Sequence, residues 1–151
     1  MQNYDPRKAA QVWQRVQKQS PPQPEHPPVD ELLSLLIHEW TDAATYLQLS
    51  RQYQGKEAAA LRKLFEEEQS HAACLKGIYT LLTGEKPVIH TPKIENATKE
   101  ATLRRCYGRE MQCLAQYERK SSDPEYGQVF ARLAQQERSH CMTILELLGK
   151  L

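Results

Sequence analysis

Six side chains of the kinds that bind divalent cations recur at matched places in this chain: Glu39, Glu68, His71, Glu110, Glu137 and His140. Glu68 with His71 and Glu137 with His140 form two Glu-x-x-His pairs, a spacing that sets both groups on one face of a helix. Each glutamate interrupts an apolar stripe. The stripes read Leu32, Leu36, Glu39, Ala43, Tyr46; Leu61, Leu64, Glu68, Leu75; Leu103, Cys106, Glu110, Leu114, Tyr117; and Phe130, Leu133, Glu137, Ile144. Steps of three, four and seven point every carboxylate toward the core of a helical protein. One Glu-x-x-His is a weak signal, because both residues are common in helices. Four unpaired carboxylates in one apolar layer are another matter, since each would cost several kcal/mol. No Lys or Arg lies on these stripes near them. Two divalent cations would offset the four negative charges, and glutamate oxygens with neutral imidazoles suit iron or manganese.

These residues need long helices to position them, and the chain supplies four. Glycines number only six, and six of the nine prolines fall before residue 29. Asp30 reads as the N-cap of a helix reaching about Gln52, and a second helix runs from Lys56 to about Leu82. A third spans about Asn96 to Arg119. Asp123-Pro124 offers a cap and a first-turn proline for a fourth, ending near Leu148. Short turns near Gly55 and Pro124 make two antiparallel hairpins. Between them, Thr83 to Glu95 can span roughly 43–47 Å when extended. That exceeds the length of a 24-residue helix, about 36 Å, so one long crossover can join the hairpins.

An internal repeat supports a duplicated hairpin. Leu64, Glu68, Ser70 and His71 match Leu133, Glu137, Ser139 and His140 at an offset of 69, and Glu39 and Tyr46 match Glu110 and Tyr117 at an offset of 71. Heights along the bundle agree. Glu39 stands 16 residues before Gly55, with Glu68 and His71 13 and 16 after it; Glu110 stands 14 before Pro124, with Glu137 and His140 13 and 16 after it. All six side chains are expected in one layer.

Composition narrows the classes. The 151 residues carry 20 basic and 19 acidic side chains, a net charge of +1 that gives no chain-wide pull toward nucleic acid or an anionic membrane. No apolar run reaches the length of a membrane helix. Met1 to Pro6 lack the basic and apolar regions of a secretory signal. The four cysteines, at 74, 106, 113 and 141, form no Cys-x-x-Cys pair. A reducing, cytoplasmic setting is the expectation. Residues 1–28 read as an N-terminal segment: a short amphipathic helix over 7–18, with Ala9, Val12, Trp13 and Val16 on one face, then a Pro-rich linker. Too short to be stable alone, that helix is expected to dock on its own bundle or on a neighbour, in at least a homodimer. Residues 29–151 read as the four-helix domain.

Across residues 30–149 the chain resembles the ferritin-like superfamily of di-iron carboxylate proteins, most nearly rubrerythrins and bacterioferritin-like proteins. The resemblance rests on the four glutamates and two histidines in their helical order. It implies an all-α, ferritin-like four-helix bundle with two metal ions, iron foremost, with manganese or a mixed iron–manganese pair as alternatives. It implies that Glu68 and Glu137 bridge, that Glu39 with His71 completes one ion's ligands, and that Glu110 with His140 completes the other's. Tyr46 and Tyr117 match family tyrosines that hydrogen-bond to the ligands; core packing is the other reading of both. Cys113 stands where rubrerythrins carry an additional Glu, which makes the site more symmetric. Rubrerythrins usually carry a four-cysteine rubredoxin domain, which these residues do not form. The implied activity is reduction of hydrogen peroxide, or reaction with dioxygen, using electrons from an external, rubredoxin-like donor. Iron oxidation and storage is the first alternative, and a non-catalytic helical interaction module the second.

Other side chains read more plainly. Asp42 suits either a hydrogen bond to a ligand histidine or a solvated helix face. Cys74 and Cys106 come near the site but read as small buried hydrophobes. His26, His38 and His90 read as surface residues, and Glu66 and Glu67 as a solvated edge.

Overall fold

The computed structural model describes residues 26–151 and, N-terminal to them, Gln11 alone. The expected amphipathic helix over 7–18 and most of the Pro-rich linker lie outside the described residues. Four helices account for the regular structure, with no strand among the described residues: α1 (Val29–Ser50), α2 (Gly55–Thr83), α3 (Lys99–Lys120) and α4 (Gly127–Leu148). No helix among the described residues is long and apolar enough to cross a membrane.

Helix starts differ from the sequence expectation for local reasons. Asp30 is not the N-cap of α1. Pro28, at φ −55° and ψ 136°, begins the helix, and its carbonyl accepts the N–H groups of Glu31 and Leu32 at 3.1 and 3.2 Å. Asp30 and Glu31 then lie in the first turn, where carboxylates face the positive end of the helix dipole. Helix α3 starts three residues later than Asn96, because the Thr98 hydroxyl accepts the Ala101 N–H at 3.1 Å and takes the capping role. Asp123 does cap backbone: its carboxylate accepts the N–H groups of Glu125 and Tyr126 at 2.8 and 2.7 Å. Those residues form a turn, however, and α4 proper begins at Gly127. A Cβ there would lie 2.4 Å from the Ser121 carbonyl oxygen, so only glycine lets the turn close. Gly84, at φ 75°, closes α2 in the left-handed conformation, its N–H returning to the Thr80 carbonyl at 2.8 Å.

Helices α1 and α2 pack along each other, as do α3 and α4; α1 also meets α3, and α2 meets α4. The polar contacts fix the ends. Lys120 at the end of α3 pairs with Glu31 at the start of α1. Lys150, just beyond α4, reaches Glu57 at the start of α2 at 2.9 Å. At the same end, the Lys99 ammonium lies 4.3 Å from the centre of the Tyr53 ring, in the α1–α2 turn. Helix α3 therefore starts beside the start of α2, and the segment that leaves the other end of α2 runs the length of the bundle. The buried apolar side chains form two clusters. Leu32, Leu35, Leu75, Phe130 and Leu133 lie in one, and Tyr46, Leu61, Leu64, Leu103 and Ile144 in the other. The six candidate ligands belong to neither: a polar layer divides the core.

Candidate metal centre

Glu39, Glu68, His71, Glu110, Glu137 and His140 are all buried, none more than 1% exposed. One comes from α1, two from α2, one from α3 and two from α4, as the stripes require. Glu68 reaches both imidazoles, with Oε2 3.1 Å from His71 Nδ1 and Oε1 2.9 Å from His140 Nδ1. Glu137 Oε1 lies 2.7 Å and Glu39 Oε2 3.8 Å from His71 Nδ1, and Glu110 Oε2 lies 3.3 Å from His140 Nδ1. The two imidazoles stack, with centroids 5.3 Å apart and planes 17° from parallel. Glu68, His71, Glu137 and His140 bring ligand atoms within 4.8 Å of one another, an arrangement able to hold a metal ion; Glu39, Cys113 and Glu137 form a second such group.

Of these approaches only that of His140 Nδ1 to Glu110 Oε2 is a hydrogen bond. Both oxygens of Glu68, both of Glu137, Oε2 of Glu39 and Nδ1 of His71 are buried without a hydrogen-bond partner. The short His71–Glu137 approach therefore lies off the direction of the ring N–H. Buried polar atoms left this way are costly, and a cation among them would satisfy them together. The residues fit a metal by this test and by donor type, oxygen and imidazole nitrogen.

Metal-free, the layer can balance its charge only with protons. Burial, reinforced by the charges of Glu39 and Glu110, holds the carboxyls of Glu68 and Glu137 well above the usual range. Burial also acts upward on Glu39 and Glu110. Their contacts with Glu68 and His71, and with Glu137 and His140, outweigh it and lower both, Glu110 to about 2. Burial lowers the basicity of imidazoles, yet the surrounding carboxylates overcome it and raise His71 to about 10 and His140 to about 9.

The tyrosines cross the bundle. Tyr46 of α1 donates its hydroxyl hydrogen to Glu110 Oε1 of α3, and Tyr117 of α3 donates to Glu39 Oε1 of α1. Each therefore holds the glutamate of the other half of the repeat, and leaves that carboxylate's second oxygen facing the histidines.

The structure corrects several expectations around the layer. Asp42 neither touches a histidine nor faces solvent. It is buried, and the Arg109 guanidinium donates to its Oδ1. Burial pushes Asp42 up to about 8 against the pull of Arg109. Arg109, unnoticed as a partner because it lies off the α3 stripe, thus does bring a cation to the edge of the layer. Its outer side lines a cleft of about 250 Å³ with Thr41, Thr45, Lys93 and Arg105. Glu67 is not a solvated edge: it is half-buried, and its Oε2 accepts from His140 Nε2 at 2.9 Å. Gln136, also missed, accepts from His71 Nε2 at 3.1 Å. The repeat contained the signal, since Glu67 and Gln136 correspond at the same offset of 69 as the ligands beside them. His26 and His38 are half-buried, His26 lying against the Tyr126 ring, while His90 is exposed as expected. All four cysteines are free; Cys106, Cys113 and Cys141 are buried and Cys74 is half-buried.

No known family model matches the chain, and no curated protein or solved structure matches it.

Proposed function

We propose that this chain is a ferritin-like dinuclear metalloprotein, with iron or an iron–manganese pair, that reduces hydrogen peroxide using electrons from a separate donor. The observation that carries the reading is the polar layer itself, four buried glutamates and two buried histidines, with both oxygens of Glu68 and Glu137, Oε2 of Glu39 and Nδ1 of His71 lacking partners. Glu39 and His71 would hold one ion and Glu110 and His140 the other, with Glu68 and Glu137 shared between them. Glu68 already spans both histidines. Two adjacent redox-active ions, once bound there, would supply the two electrons that with two protons convert hydrogen peroxide to two waters. The chain's own part is to fix the donors. Tyr46 and Tyr117 anchor the two terminal carboxylates, Glu67 and Gln136 orient the imidazoles, and the apolar clusters above and below exclude bulk water.

Stopped-flow oxidation of the diferrous protein tests the reading. Hydrogen peroxide should oxidise it faster than dioxygen does, and turnover should continue when a rubredoxin-like reductant is added. Faster reaction with dioxygen, together with iron accumulating beyond two per chain, would move the protein to the iron-oxidising and storing class.

A further inference from the structure

The two halves of the layer are related by the repeat, yet the group outside each histidine differs. His140 Nε2 donates to the carboxylate of Glu67, which is half-buried and has the Lys63 ammonium 3.8 Å from its other oxygen. His71 Nε2 donates to the neutral amide of Gln136. In both cases Nδ1 faces the glutamates, so Nε2 keeps its hydrogen when Nδ1 binds a metal. A carboxylate accepting that hydrogen pulls it outward and makes the imidazole a stronger donor, whereas an amide does so far less.

From these contacts we infer that the two metal positions are unequal and fill in order, His140 first, because Glu67 and Gln136 break the symmetry of the repeat. Glu67 and Gln136 are positioning residues that act through the histidines. The inference rests on the dinuclear reading and goes beyond it, since nothing in that reading distinguishes the two ions.

The test is Co²⁺ titration of the metal-free full chain, followed by proton NMR. An imidazole N–H on a Co²⁺-bound histidine gives a hyperfine-shifted, exchangeable resonance. In the wild type one such resonance should grow to the first equivalent and a second only after it. In Glu67→Gln both should grow together from the start, and overall affinity for the first ion should fall about 10–100-fold. The exchanged pair Glu67→Gln with Gln136→Glu should restore sequential filling with the order of the two resonances reversed. Gln at 67 can still accept the His140 hydrogen, so the variant keeps its contact and its fold. Two resonances growing together in the wild type would overturn the inference alone, because two ions would still bind. The same holds if sequential filling survives in Glu67→Gln. Binding that stops at one Co²⁺ per chain would overturn both this inference and the dinuclear reading.

Discussion

Tyr46 and Glu110 lie 64 residues apart in sequence and share a buried hydrogen bond across the bundle. Its counterpart joins Tyr117 to Glu39. Each bond uses one carboxylate oxygen and turns the other toward the histidines, so the tyrosines set the geometry that a metal ion would meet. They also tie α1 to α3, helices that belong to different hairpins. Replacing either tyrosine with Phe keeps the ring in its cluster and removes only the hydroxyl. Metal affinity measured against a competing chelator should fall about 10–100-fold for each variant. Unchanged affinity in both would show that the hydroxyls serve packing alone.

The protons that balance the charge of the metal-free layer make its stability depend on pH. His71 and His140 titrate at about 10 and 9 in the folded chain, above the ordinary value of 6.5. Their contribution is complete below pH 6.5 and is lost as pH rises through 9 and 10. Glu68 and Glu137 are raised as well, so the folded chain again holds protons that the unfolded chain has released. Glu39 and Glu110 shift the other way, but their stabilisation is lost only on acidification, outside this window. The metal-free protein should therefore lose several degrees of melting temperature between pH 6.5 and about 9. Added Co²⁺ should recover more of it at the higher pH, where fewer protons compete for the ligands. A metal-free melting temperature that climbs over this interval would contradict the assignment of charges.

Gly127 provides a check on the α3–α4 turn, which sets the height of Glu137 and His140. Gly127→Ala would drive a Cβ into the Ser121 carbonyl, and overpacking of this kind costs about 1–3 kcal/mol. Thermal melting should show the loss. The same change at Gly77, mid-helix with nothing within 4 Å of its added Cβ, should be neutral or slightly stabilising. Equal effects at the two positions would mean that the turn has room that the structure denies it.

The burial of the six glutamates and histidines was legible because helical periodicity and distance from a turn are properties of a single chain segment. Buried Glu39 and Glu110 sit where their stripes put them. Glu67 reads as solvated and Arg109 carries no signal in the sequence, because angle round the helix axis places a Cβ and not the end of a long side chain. Each lies off the stripe, yet each extends to a partner on another helix, His140 and Asp42. Those partners become visible only when the helices are side by side. Asp30 was misread for a different reason: capping preference favours Asp, but the fixed φ of Pro28 had already begun the helix.

The central claim is that the polar layer holds two metal ions, and counting them tests it most directly. Protein reconstituted with ferrous iron without oxygen, freed of loose metal and analysed for iron, should hold two per chain. Glu68→Ala, which removes the carboxylate that reaches both histidines, should lose the pair. Glu66→Ala, at an exposed position, should keep it. One iron per chain or none in the wild type, or equal loss in the two variants, would contradict the account.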